Sequence, residues 1–155
     1  MTRPALDDRL RAAGLRVTRP RIAVLETVEA WPHSDAESVH ARLAGRHPSL
    51  SVQSVHNVLR ALTAGSLLRR IEPADSPALY EARVGDNHHH AVCRECGSVR
   101  DIPCTVGHAP CLDPGDADGF TVDLAEVVFW GLCAGCRDRG VPMTATPESP
   151  RRSHD

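Results

Sequence analysis

The chain contains no lysine, and all 18 of its basic residues are arginine. A GC-rich genome produces that bias without any selection for phosphate recognition, so the absence excludes nothing alone. Aromatic residues are also scarce, at 3% of 155 positions. Packing must therefore rest on Leu, Val and Ala, and small domains with such thin cores often need a metal or a dimer partner. No apolar run approaches the roughly 18 residues of a membrane span, and no charged-then-apolar leader opens the sequence. The expectation is a bacterial-type cytosolic protein without a membrane partner, built as one domain or two small ones. Cysteine, by contrast, is plentiful. In a reducing compartment the six cysteines read as metal ligands or redox thiols in preference to structural disulfides.

The net charge of −2 conceals an asymmetry: residues 1–84 hold 12 Arg against 9 acids, whereas residues 85–155 hold 6 Arg against 11 acids. The front half is the candidate for a polyanionic partner. The back half holds the densest chemistry, in His88-His89-His90-Ala91-Val92-Cys93-Arg94-Glu95-Cys96-Gly97. Imidazole and thiolate are the commonest protein ligands for borderline-soft divalent metals, and this stretch has donors enough for two ions. A second Cys-x-x-Cys, Cys133 and Cys136, follows with 36 residues between Cys96 and Cys133. Two such pairs can close a tetrahedral four-cysteine structural zinc site. A thioredoxin-like role for Cys93 and Cys96 finds no strand-to-helix pattern around it and leaves the second pair unexplained.

Along the chain, Leu6, Leu10 and Ala13 recur at helical spacing up to Gly14. Thr18 is a plausible N-cap for a second helix with Pro20 in its first turn and Ile22, Leu25 and Val28 on its apolar stripe. Ser34 and Glu37 make a capping box for a third helix ending near Gly45, with His40 and His47 as surface residues. A fourth helix opens at Ser51. Its wheel puts Val55, Val58, Leu59 and Leu62 on one side and Gln53, His56, Asn57 and Arg60 on the other. Such a face suits base edges and phosphates in a major groove, although composition alone allows a merely solvated face. The order of elements tips the balance. Leu67–Ile71 and Ala78–Glu81 read as two strands around a Pro-Ala-Asp-Ser-Pro turn, so the front half predicts a winged helix-turn-helix whose fourth helix reads DNA. Arg16, Arg19 and Arg21, at the start of the second helix, can reach the sugar-phosphate backbone.

Residues 83–87 read as a polar hinge between a DNA-binding domain, 1–82, and a metal-bearing domain, 88–140. Short strands are expected at Ala91–Val92, Ser98–Ile102 and Val127–Trp130, separated by a Pro-, Gly- and Asp-rich loop from Cys104 to Gly119 with one short helical turn. The tail, 141–155, has the composition of a disordered segment. The predicted class is α+β: a winged helix followed by a small α/β dimerisation domain with a four-cysteine zinc site.

Taken together, these residues resemble the ferric uptake regulator (Fur) family of metal-dependent repressors over roughly residues 5–137. The likeness rests on Gly14-Leu15-Arg16-Val17-Thr18-Arg19-Pro20-Arg21, on the helix from Ser51 to Leu62, on the His88–Gly97 stretch and on Gly131-Leu132-Cys133-Ala134-Gly135-Cys136. Residues 83–90, 104–112 and 125–133 bring the FurA/CatR branch nearest, whose members act on peroxide-defence genes, typically a catalase-peroxidase and the regulator's own gene. The resemblance implies structural zinc on Cys93, Cys96, Cys133 and Cys136. It also implies a regulatory site drawing on both domains, with His33, Glu81, His88, His90 and Asp101 as ligands. His88 and His90 alternate with His89 along an extended segment and so face the same way. His89, with His108, is the candidate for a further, weaker site. A mixed imidazole and carboxylate set suits Fe(II) or Mn(II), although freely available zinc would compete.

By the same likeness the chain is a cytoplasmic homodimer that binds a palindromic operator. Arg16, Arg19, Arg21, Gln53, Ser54, His56, Asn57 and Arg60 make the DNA-contacting set. In peroxide-sensing relatives the iron-bound protein loses DNA when a ligand histidine is oxidised, which falls here on His33 or His88. Two departures stand out: His56 occupies a position usually held by Tyr, and Ala125 one where iron sensors often hold a histidine ligand. Cys104 and Cys111 are either a redox-switchable pair or small buried residues. Two other readings compete with the peroxide sensor. An iron- or zinc-supply sensor shares its fold and partners, whereas a metal hydrolase would need an open coordination position and a substrate pocket for which the second half offers little sequence.

Overall fold

The computed structural model describes residues 5–143, so nearly all of the tail expected to be disordered lies outside the described residues. The chain divides after Asp86 into two compact units.

The first unit holds helices α1 (Leu6–Ala12), α2 (Arg19–Ala30), α3 (Ala36–Leu43) and α4 (Val52–Ala64), then strands β1 (Arg69–Ile71) and β2 (Leu79–Glu81). Each helix after the first starts on a side-chain cap. Thr18 accepts the Arg21 N–H at 3.4 Å, Asp35 accepts that of Ser38 at 2.7 Å, and Ser51 accepts that of Ser54 at 3.1 Å. The cap of α3 thus sits one residue later than the expected Ser34 box. Ser34 instead donates its hydroxyl to the Trp31 carbonyl, leaving the carboxylate of Asp35, an equally good acceptor, to satisfy the helix end. Leu10, Leu25, Leu43, Leu59 and Leu62 are fully buried in one cluster with Val24, Val28, Val39 and Val55. This apolar cluster positions α4 so that Gln53, His56, Asn57 and Arg60 stay exposed.

β1 and β2 pair antiparallel, with Arg69 opposite Glu81 and Ile71 opposite Leu79. The first strand is shorter than expected because the Leu67 and Leu68 N–H groups are still committed to the Leu62 carbonyl at the end of α4. The ribbon is tied back to the helices by a bridge between Ser34 and Tyr80.

The second unit is a three-stranded sheet in the order β4-β3-β5, followed by a short helix α5 (Ala134–Asp138). β3 (His88–Cys93) is central, antiparallel to β4 (Val99–Pro103) and parallel to β5 (Val128–Gly131). No helix or strand occurs between Cys104 and Val127. The expected helical turn is missing there: Pro110 and Pro114 lack the N–H that a helix needs, and Gly107, Gly115 and Gly119 all take positive φ.

Truncating the first unit's core should be costly. Leu59→Ala is expected to lower its stability by about 2–5 kcal/mol, against about 1 kcal/mol for Ser51→Ala, which removes only a cap. Denaturant unfolding followed by far-ultraviolet circular dichroism would separate the two.

Candidate metal centres and nucleic-acid face

Three groups of metal-ligating side chains take shape within the two units, and their chemistry differs. The first is all sulfur. Cys93 ends β3, where its N–H donates to the Ser98 carbonyl and its carbonyl accepts the Gly97 N–H, both at 2.9 Å. Gly97 has φ 71°, a conformation glycine takes without a Cβ clash, and the resulting tight turn swings Cys96 back beside Cys93. β5 runs parallel to β3 and delivers Cys133, the N-cap of α5, and Cys136 within that helix. The four sulfurs lie within 4.8 Å of one another, and Cys96 Sγ is 3.7 Å from Cys133 Sγ. Sulfurs bound tetrahedrally at about 2.3 Å stand about 3.8 Å apart, so the spacing is that of a structural zinc site.

Charge tells the same story. The backbone N–H of Cys133, then that of Cys96, hold the Cys93 thiol down to about 6. The Cys133 thiol is also lowered, chiefly by the Cys136 N–H. Burial, with neighbouring thiols adding to it, pushes Cys136 up to about 12. Backbone donors favour thiolate at Cys93 and Cys133 while burial disfavours it at Cys136, and a bound dication would allow all four to ionise together. Arg139 donates to Cys136 Sγ at 2.9 Å and offsets part of the negative charge of such a centre.

The second group mixes imidazole with carboxylate. Along β3 the side chains alternate, and the His88 and His90 rings meet edge to face at 5.0 Å. Asp101 lies opposite His90 in the register of β4. Its Oδ1 is 3.9 Å from His88 Nε2 and 3.8 Å from His90 Nε2. In the first unit a second such pair forms: His33 Nε2 stands 3.1 Å from Glu81 Oε2. His33 has φ 62°, and its N–H donates to the Tyr80 carbonyl at 2.8 Å, so the wing itself fixes the ring over Glu81. Glu81 is 1% exposed and also has Arg69 Nε 3.8 Å from its other oxygen. Sequence reasoning missed Arg69, yet the hairpin register that pairs it with Glu81 could have pointed to it.

The third group was not expected in this form. His89, on the opposite side of β3 from its neighbours, has its Nε2 3.3 Å from Cys111 Sγ. Cys104 completes a cluster with donor atoms within 4.8 Å of one another. His108 contributes its backbone carbonyl to Asn87, at 2.7 Å, and its imidazole is not in that group. The Cys104 thiol is lowered, mostly by the Gly107 N–H, and that of Cys111 is raised by burial.

On the first unit, Arg16, Arg19 and Arg21 line a groove with Arg46 and, from α4, Ser54 and Asn57. Arg21 is steadied by donating to the Arg16 carbonyl at 2.7 Å. On its other flank α4 presents His56 and Arg60 beside Arg70 and Tyr80. Arg46 and Arg70 extend the basic surface beyond the residues expected from sequence.

A winged-helix unit with a basic reading face, followed by a sheet built around a four-sulfur centre, is the architecture of metal-binding transcriptional regulators. The chain belongs to the ferric uptake regulator family, whose model matches residues 12–106. It is 54% identical to the transcriptional regulator FurA of Mycobacterium tuberculosis over 133 residues, 86% of this chain and 90% of that protein. It is 30% identical to the peroxide operon regulator of Bacillus subtilis, over 83% of this chain and 89% of the relative. The crystal structure of the Vibrio cholerae ferric uptake regulator superposes with a TM-score of 0.65 at 21% identity, covering 83% of this chain and all of that one. Related structures have been solved with iron, manganese and zinc. The protein is thus a Fur-family, metal-responsive transcriptional regulator. Among the described residues no helix is long and apolar enough to cross a membrane.

If the four-sulfur centre holds the second unit together, Cys93→Ser or Cys136→Ser should abolish zinc retention and unfold that unit while leaving the helices of the first intact. A zinc-free variant with its sheet still protected in amide exchange would contradict the assignment.

Proposed function

We propose that this chain is a cytoplasmic, homodimeric repressor of oxidative-stress genes, such as a catalase-peroxidase gene, that grips a palindromic operator when metal-loaded and lets go after reaction with peroxide. The observation that carries the reading is the cluster of His88, His90 and Asp101 around one carboxylate oxygen, matched by the His33–Glu81 pair. The regulatory ion would be held by these five residues together. Mixed nitrogen and oxygen donors suit Fe(II) or Mn(II), in contrast to the thiolates reserved for zinc. Because the five residues belong to both units, an ion held by them would favour one arrangement of the units over others, and with it one spacing of the two α4 helices in a dimer.

The peroxide response is supported by identity to the Bacillus peroxide operon regulator and by the imidazoles around the proposed ion. Held by these residues, Fe(II) would supply the reducing chemistry for peroxide beside its own ligands. His33 or His88 would take up one oxygen and lose donor strength. The dimer is supported by β5, an edge strand that exposes Val128, Phe129 and Trp130, since an open apolar edge invites pairing. DNA binding is supported by the arginine-lined groove and the free face of α4. At His56 an imidazole donor replaces the usual aromatic contact, which favours a hydrogen-bonding base edge over a thymine methyl.

Operator binding by the zinc-loaded protein, measured anaerobically with Fe(II) or Mn(II) before and after a peroxide pulse, tests the reading. The expected result is release from the iron form alone, with a gain of one oxygen on the peptide carrying His33 or His88. Indifference to peroxide would make the protein a metal-supply sensor, and turnover of an ester or peptide would revive a hydrolase. Independently, His90→Ala should leave the dimer whole and remove metal-dependent binding. Asn57→Ala should weaken the specific complex by about 1–3 kcal/mol at one operator position.

A further inference from the structure

We propose that His89, Cys104 and Cys111 form a third metal site, built for a soft d10 ion, Zn(II) or Cu(I), which fastens the long loop of the second unit to the central strand. The inference is independent of the peroxide response. Three donors from three stretches of chain converge: His89 from the middle of β3, Cys104 from the first position after β4, and Cys111 from seven residues further on. All three donor atoms lie within 4.8 Å of one another, and His89 Nε2 is 3.3 Å from Cys111 Sγ. His89 is buried, and both cysteines are free thiols of intermediate exposure. The first residue of the unit supports the arrangement, since the Asn87 amide donates to Cys104 Sγ at 3.3 Å and to the His108 carbonyl at 2.7 Å.

The donor set decides the ion. This group contains no carboxylate, so it lacks the oxygen donor that suits Mn(II) or Mg(II), whereas its two thiolates are soft ligands and its imidazole accepts Zn(II) and copper. Binding displaces one proton from each thiol to solvent and leaves His89 neutral. The sum of the charges is then zero for Zn(II), which a solvent molecule would complete to four-coordination, and −1 for three-coordinate Cu(I). The alternation of β3 explains how this site coexists with the carboxylate cluster. His88 and His90 serve one face and His89 the other, so that the carboxylate of Asp101 joins one set of imidazoles and the thiols of Cys104 and Cys111 the other.

The site also answers a structural need. From Cys104 to Val127 the chain has neither helix nor strand, so ladder hydrogen bonds do not hold this stretch. An ion bound to Cys104, Cys111 and His89 closes it against the sheet and places it beside Phe129, whose ring meets that of His89 edge to face at 6.3 Å.

Cobalt is the probe, added to full-length protein whose four-cysteine zinc is intact, with released zinc monitored throughout. Sulfur-to-cobalt charge-transfer absorption without zinc release must come from Cys104 and Cys111, because the His/carboxylate cluster has no sulfur. The band should appear in the wild type and in His90→Ala and be lost in Cys111→Ser and Cys104→Ser. Chelator competition should then show one more Zn(II) or Cu(I) bound per wild-type chain than per Cys104→Ser/Cys111→Ser chain, and loading should slow proteolytic cleavage between residues 105 and 127 at least several-fold. Retained zinc and an unchanged circular dichroism spectrum would establish that the variants are folded. A cobalt-saturated wild type without the band, a band that survives both cysteine substitutions, or equal Zn(II) and Cu(I) stoichiometries in wild type and double variant would overturn the proposal.

Discussion

Four thiols within 4.8 Å of one another set the terms for the second unit. Its apolar interior is slight: among the described residues its buried apolar side chains are Val92, Cys93 and Cys136, and the other side chains inside are the three histidines of β3. The helical unit, by contrast, buries a cluster of leucines and valines. Hydrophobic burial at about 25 cal/mol per Å² holds the first unit together, while the second, with so little core, gathers four thiols that could hold zinc and so offset the missing burial. The split between a Cys93 lowered by backbone N–H donors and a Cys136 raised chiefly by burial shows how differently the two sulfurs of the cluster are placed. The Gly97 turn brings the first sulfur pair together, and β5 carries the second pair to it.

How much of this was legible in the sequence depended on the range of the interaction. Caps at Thr18 and Ser51, the apolar face of α4 and the Cys-x-x-Cys pairs are local, and local patterns survive folding. The α3 cap moved from Ser34 to Asp35 because tertiary structure gave Ser34 other work, in the bridge to Tyr80 and in the bond to the Trp31 carbonyl. β1 lost two residues to the end of α4 for a similar reason. The expected helical turn after Cys104 failed where prolines and positive-φ glycines outweighed weak periodicity.

The candidate sites follow the same rule. The alternation that puts His88 and His90 together is written in three consecutive letters, and the position of Asp101 opposite His90 follows once β4 is registered on β3. The convergence of His89 with Cys104 and Cys111 is not written anywhere locally. It depends on how an irregular loop returns to the sheet, and no period of 2 or 3.6 encodes that path. Composition named the participants as possible thiols and as a spare histidine, but only the fold joined them and left the His108 imidazole out.

One consequence concerns metal selectivity. Affinity for divalent ions rises along the first-row series whatever the protein does, so a cell's zinc will tend to occupy any nitrogen and oxygen site that admits it. A chain that regulates through iron or manganese gains by offering zinc better ligands elsewhere. Four cysteines would provide one such sink. If His89, Cys104 and Cys111 provide a second, zinc has two sulfur-rich sites to fill before it competes for His88, His90 and Asp101. Bringing thiols to one face of β3 and a carboxylate to the other would then do more than save space. Within one strand, it would keep the ion that stabilises the fold away from the ion that regulates it.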